Sequence, residues 1–83
     1  MIRVAIIEDR ADVRDSLQAL VSGTPEFEVT GAYVSMEAAL PGLEGCVPDA
    51  VVIDLGLPGM SGIEGIRCLR ERYPKLTLIV LTV

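Results

Sequence analysis

The chain has 83 residues, 51% of them apolar and 23% charged, which suits one small domain with an aliphatic core and excludes a disordered segment. Seven basic against twelve acidic residues give a net charge of −5, which disfavours nucleic-acid binding by this segment and offers nothing to an anionic membrane surface. No apolar run approaches the roughly 20 residues that cross a bilayer. No signal-peptide pattern opens the chain, so a cytoplasmic protein is expected. Cys46 and Cys68 are the two cysteines and histidine is absent, so reduced thiols are expected and a zinc site is not.

Ile2 to Ile7 is a nearly continuous apolar run, the signature of a strand buried on both faces. Helical spacing follows from about Arg10 to Val21, where Val13, Leu17, Leu20 and Val21 form one apolar stripe. Gly23 and Pro25 end it. Phe27 to Val34 alternates and carries Glu28 and Thr30, as an edge strand would. A second helix starts near Ser35, a good N-cap. Pro41, Gly42 and Gly45 interrupt it and predict a short or kinked element. Ala50 to Ile53 is a second buried run. The third helix has a capping-box pattern in Ser61 and Glu64. Its buried face is expected from Ile63, Ile66, Leu69 and Tyr73, and Pro74 stops it. Leu76 to Thr82 is a fourth strand. The order β-α-β-α-β-α-β predicts a parallel, doubly wound α/β sheet with right-handed crossovers. The last strand has nothing after it to cover its open side, so a fragment is expected, or self-association through that exposed strand.

In open α/β sheets, chemistry gathers beyond the carboxyl ends of the strands. The first strand delivers Glu8 and Asp9 there, the third Asp54 and the fourth Thr82. Two like charges ~4 Å apart repel by on the order of 4 kcal/mol at an effective dielectric near 20. A bound cation or a retained proton relieves that cost. Carboxylate oxygens without histidine or thiolate favour magnesium over zinc. An aspartate beside magnesium is also a nucleophile that can form an aspartyl phosphate. A hydroxyl such as that of Thr82 can bind a phosphoryl oxygen. Each residue has a plainer role too. Asp9 could cap the first helix, and Glu8 could be a solvated strand-end carboxylate. Asp54 could serve the Leu-Gly-Leu-Pro-Gly turn, and Thr82 could simply favour a strand. All four meeting at one rim by coincidence is far less expected than any one of these.

Val4-Ala5-Ile6-Ile7-Glu8-Asp9 resembles the first strand and acidic pair of response-regulator receiver domains. The block from Val51 to Gly62, Val-Val-Ile-Asp-Leu-Gly-Leu-Pro-Gly-Met-Ser-Gly, resembles their phosphorylation strand and following loop. Leu78 to Thr82 resembles their fourth strand with its hydroxyl. The resemblance covers the whole chain and is nearest to receivers of the NarL/FixJ type, whose full-length members usually carry a C-terminal helix-turn-helix output domain. It implies one receiver domain over residues 1–83 with a flavodoxin-like sheet in strand order 2-1-3-4, incomplete without the family's last helix-strand-helix portion.

The resemblance also implies roles. Asp54 would accept a phosphoryl group from a sensor histidine kinase, and Thr82 would bind that group as a switch hydroxyl. Asp9, Asp54 and the backbone carbonyl of Gly56 would bind Mg2+ directly, and Glu8 through a water. Pro58 and Gly62 would shape the loop that starts the third helix. The domain would not be an enzyme beyond its own phosphorylation and dephosphorylation. Glu8 departs from the usual Asp, and Gly56 from a usually larger residue. The family's essential lysine and aromatic switch residue lie in the portion not present, so the chain is expected to bind magnesium yet phosphorylate poorly. The alternative is a pseudo-receiver, a protein-interaction module that is not phosphorylated. A haloacid-type phosphatase would need a second Asp where Gly56 stands. A nucleotide-binding fold would need a glycine-rich motif after the first strand, which is absent.

Overall fold

The structure, a computed structural model, describes residues 1–55 and 62–81. Its elements are β1 (Ile2–Ile7), α1 (Ala11–Ser22), β2 (Phe27–Tyr33), α2 (Met36–Gly45), β3 (Ala50–Asp54), α3 (Gly62–Arg72) and β4 (Thr77–Leu81). The four strands pair in parallel in the order β2-β1-β3-β4, as the alternation and the resemblance both imply. Ile7 sits opposite Tyr33 on one side and Ile53 on the other, so the strands of the sheet's centre end together.

The core lies on one face of the sheet. Ala5 and Ile7 of β1 and Val51 and Ile53 of β3 meet Met36, Ala39 and Leu43 of α2 and Leu69 of α3 there. Alternation puts Val4, Ile6 and Val52, also buried, on the opposite face. α1 covers the β1–β2 half of that face. Central strands are therefore apolar on both sides, which is why they read as continuous runs.

Ser35 caps α2, its Oγ accepting from the Ala38 N–H at 3.1 Å. The second helix holds Pro41 within its ten residues. An interior proline costs about 3 kcal/mol, and here burial of Met36, Ala39 and Leu43 opposes that cost.

Two sequence expectations fail on burial. Leu20 and Ile63 are each 68% exposed. No residue of α1 is fully buried, because the helix covers the sheet along one flank only. On α3 the inward positions are Gly62, Gly65 and Leu69 instead of Ile63. A Cβ at Gly65 would run into the Met36 methyl, so the glycine lets Met36 fill the α2–α3 gap. On the fourth strand Ile79 and Val80 are 46% and 40% exposed, in line with the uncovered last strand expected from the sequence. β4 pairs only with β3, and its outer edge has no partner among the described residues. The first helix begins at Ala11, and Arg10 is its N-cap. The expected cap of α3, Ser61, lies outside the described residues.

Tyr33, the last residue of β2, is wedged between two glycines. A Cβ on Gly31 of β2 or on Gly42 of α2 would collide with the Tyr33 ring and its hydroxyl. The register of β1 against β2 also shifts between Val4 and Ala5, just beside Gly31. Helix propensity alone would make Gly42→Ala stabilising by about 1 kcal/mol. The Tyr33 contact predicts the opposite sign, a loss of roughly 1–2 kcal/mol from overpacking. In a Tyr33→Leu background the same substitution should recover the propensity gain. Urea unfolding of the two single variants and the double variant measures that coupling.

Candidate functional site

Glu8 follows the last residue of β1, and Asp54 is the last residue of β3. Because Ile7 and Ile53 are partners in the ladder, these two carboxylates leave the sheet side by side. Asp9 begins the turn into α1. One carboxylate oxygen from each of Glu8, Asp9 and Asp54 lies within 4.8 Å of the others. The three differ in burial: Asp9 is exposed, Asp54 is half-buried, and Glu8 is only 4% exposed. Asp9 does not cap α1, because the cap position falls on Arg10 and no side chain makes a cap bond.

The main chain of Glu8 is held from two neighbouring elements. Its N–H donates to the Tyr33 carbonyl at 2.9 Å, and its carbonyl accepts from Arg14 Nη1 of α1 at 3.0 Å. Its side chain is less well served: Oε2 is buried without a hydrogen-bond partner. Buried polar atoms in folded proteins are nearly always paired, so an orphan needs a cause. The acidic groups clustered with it, Asp9 and Asp54, are carboxylates, which accept and do not donate when ionised.

A proton answers part of the problem. Burial raises the Glu8 carboxyl from its ordinary 4.5 to about 7. Hydrogen bonds to Asp54 and Asp9 and the charge of Asp54 push the same way, and the Arg10 N–H opposes them. A cation answers it more fully. The donor set is three hard carboxylate oxygens with no imidazole or thiolate, one of them buried and unsatisfied. That fits a small oxygen-seeking divalent ion.

Glu8, Asp9 and Asp54 are thus brought together as the sequence led one to expect. Gly56, Pro58 and Thr82 lie outside the described residues. Gly62 is buried at the start of α3, where a Cβ would stand 2.5 Å from the Leu55 Cα, so only glycine lets α3 begin this close to the end of β3. Arg14 and Tyr33 were not singled out from sequence as site residues. A lone arginine beside the α1 stripe, one turn after an acidic pair, was the available sign of the first. An open groove of about 480 Å³ lies at the opposite end of the sheet, lined by Val47, Pro48, Tyr73 and Leu76 among others, away from the acidic rim.

The fold and the acidic rim define an α/β domain of the receiver class. The chain belongs to the response regulator receiver domain family, whose model matches residues 4–83. It is 35% identical over 98% of its length to a protein-glutamate methylesterase/protein-glutamine glutaminase of Treponema denticola, covering 22% of that protein. It is 32% identical over 99% of its length to the transcriptional regulatory protein DegU of Brevibacillus brevis and 35% identical over the same share to the DNA-binding transcriptional activator DevR/DosR of Mycobacterium tuberculosis. It covers 35% and 38% of those two proteins, so it spans well under half of the curated relatives it matches. Among solved structures, the isolated receiver domain of RcsB from Salmonella enterica with phosphomimetic BeF3− superposes with a TM-score of 0.91 at 25% identity, over 98% of this chain and 61% of that one. The response regulator domain of Thermotoga maritima CheB superposes with the same TM-score, 0.91, over 99% of this chain and 60% of that one, and at 24% identity it shares the fold. This is a receiver domain of two-component signalling.

The raised Glu8 pKa makes stability depend on pH in metal-free buffer. The folded chain holds this proton up to about pH 7, whereas an unfolded glutamate releases it near 4.5. The contribution is therefore complete below pH 4.5, falls as the pH rises to 7 and is gone above it. At 1.36 kcal/mol per unit the fall is at most about 3 kcal/mol. Denaturant midpoints measured from pH 5 to 8 should decline, and Glu8→Gln should flatten the decline. A wild-type chain whose stability is level across that range contradicts the assignment.

Proposed function

We propose that residues 1–83 form a phospho-accepting receiver domain in which Asp54 takes a phosphoryl group from a sensor histidine kinase. One observation carries this: a buried, donorless Glu8 carboxylate oxygen beside Asp9 and Asp54, at the strand-end rim of a receiver-family chain. Asp9 and Asp54 would hold Mg2+ directly with the Gly56 carbonyl, and Glu8 would act through a bound water. Once in place, the ion would neutralise charge on the phosphoryl oxygens. An Asp54 carboxylate oxygen attacks phosphorus as the bond to the donor breaks, and the leaving group keeps the electron pair. The Thr82 hydroxyl would donate to a phosphoryl oxygen and report the new state by moving with it. The domain would then shift between two existing conformations. It would carry out no chemistry beyond its own phosphorylation and dephosphorylation.

The parent protein would carry an output domain. DegU and DevR/DosR are named as transcriptional proteins and RcsB has been solved with DNA, which supports a helix-turn-helix output that binds DNA. The receiver itself, with its net charge of −5, would not bind nucleic acid. No helix among the described residues is long and apolar enough to cross a membrane, and a cytoplasmic site of action is proposed. The open outer edge of β4, with exposed Ile79 and Val80, supports self-association along that strand.

Incubation with acetyl phosphate and magnesium, followed by intact-protein mass spectrometry, tests the proposal. A single phosphoryl adduct is expected, lost in Asp54→Asn and lost without magnesium. A chain that binds magnesium yet never gains the adduct would instead be an unphosphorylated interaction module.

A further inference from the structure

Glu8 stands just past the end of β1, where the ladder no longer holds the chain, yet both of its main-chain polar groups are engaged. Tyr33, fixed between Gly31 and Gly42, supplies the acceptor for its N–H. Arg14, half-buried on the first turns of α1, supplies the donor for its carbonyl at 3.0 Å. That carbonyl belongs to the peptide bond leading into Asp9. The Arg14 contact therefore ties α1 to the short turn that presents two of the three clustered carboxylates. Among the described residues no other side chain of α1 bonds to that turn's main chain, and the N-cap residue, Arg10, turns its side chain to Asp12 without capping the helix.

We infer that Arg14 is a positioning residue for the acidic site: its guanidinium clamps the Glu8 carbonyl and so sets the spacing of Glu8 and Asp9 against Asp54. The inference rests on the proposal that this rim binds magnesium. Two effects of Arg14 on a cation have opposite signs, which makes the clamp distinguishable from mere charge. As a positive charge near the rim, Arg14 repels a divalent cation, so its removal would tighten binding. As a clamp, Arg14 preorganises the ligands, so its removal would weaken binding. Groups that orient metal ligands typically change affinity by 10-fold or more when removed, on the order of 10–100-fold.

Arg14→Met keeps an apolar stem for packing and loses both the donor and the charge. Arg14→Lys keeps the charge and one donor. Magnesium affinity of wild type and both variants is measured by calorimetry, with metal-free unfolding midpoints and the amide exchange rates of Glu8 and Asp9 measured alongside. The expected result is a roughly tenfold loss of magnesium affinity in Arg14→Met, substantial recovery in Arg14→Lys and faster metal-free exchange at Asp9 in Arg14→Met only. Unchanged or tighter magnesium binding in a folded Arg14→Met chain overturns the inference. If Arg14→Met does not fold, the decision passes to Arg14→Lys, whose single shorter donor should still weaken binding; affinity equal to or above wild type overturns the inference. If wild type binds no magnesium, the underlying proposal fails separately. The metal-free exchange at Asp9 then decides the clamp, and an unchanged rate overturns it.

Discussion

Mutual repulsion among three carboxylates at one rim is the constraint on which the site depends. The parallel ladder creates it, because pairing Ile7 with Ile53 delivers Glu8 and Asp54 to the same place. The turn into α1 adds Asp9. Charges 4–5 Å apart cost roughly 3–4 kcal/mol per pair at an effective dielectric near 20. That is a large fraction of the stability available to a domain of this size. A proton on Glu8 relieves it, and the proposed cation among the three would relieve it in that proton's place. With burial raising the Glu8 carboxyl to about 7, uptake of the proposed ion near neutral pH would displace that proton.

The surrounding packing reads as the means of holding that strained arrangement. The wedge of Tyr33 between Gly31 and Gly42 steadies the end of β2, whose carbonyl receives the Glu8 N–H. Glycine at these positions is a matter of space for a neighbour, Tyr33 at Gly31 and Gly42, and that neighbour bonds to the rim through its carbonyl. Packing and function are therefore coupled through a few close approaches.

Much of this was legible in the sequence, and the failures have physical reasons. Continuous apolar runs identified β1 and β3 because both faces of central strands are covered. Hydropathy reports what a residue would gain by burial, and the available cover decides whether it is buried. Apolarity puts Ile63 on the inner face of α3 beside Leu69, but two of the inner positions, Gly62 and Gly65, carry no hydropathy signal at all. Pro41 predicts a short or kinked element, and α2 is a ten-residue helix that carries the proline within it. Glu8, Asp9 and Asp54 were found because strand ends are fixed by strand pattern. Arg14 was not, since a side chain reaching across to a main-chain carbonyl leaves no periodic trace.

The central claim is that a proton and a cation compete for Glu8. Calorimetric titration of magnesium into the chain, repeated in buffers of different ionisation enthalpy, counts the protons released on binding. At pH 6 the Glu8 carboxyl is mostly protonated and release of nearly one proton per ion is predicted, falling towards none by pH 8.5. Magnesium binding with no proton release at pH 6 would contradict the account, because the rim would then accommodate all three charges without help.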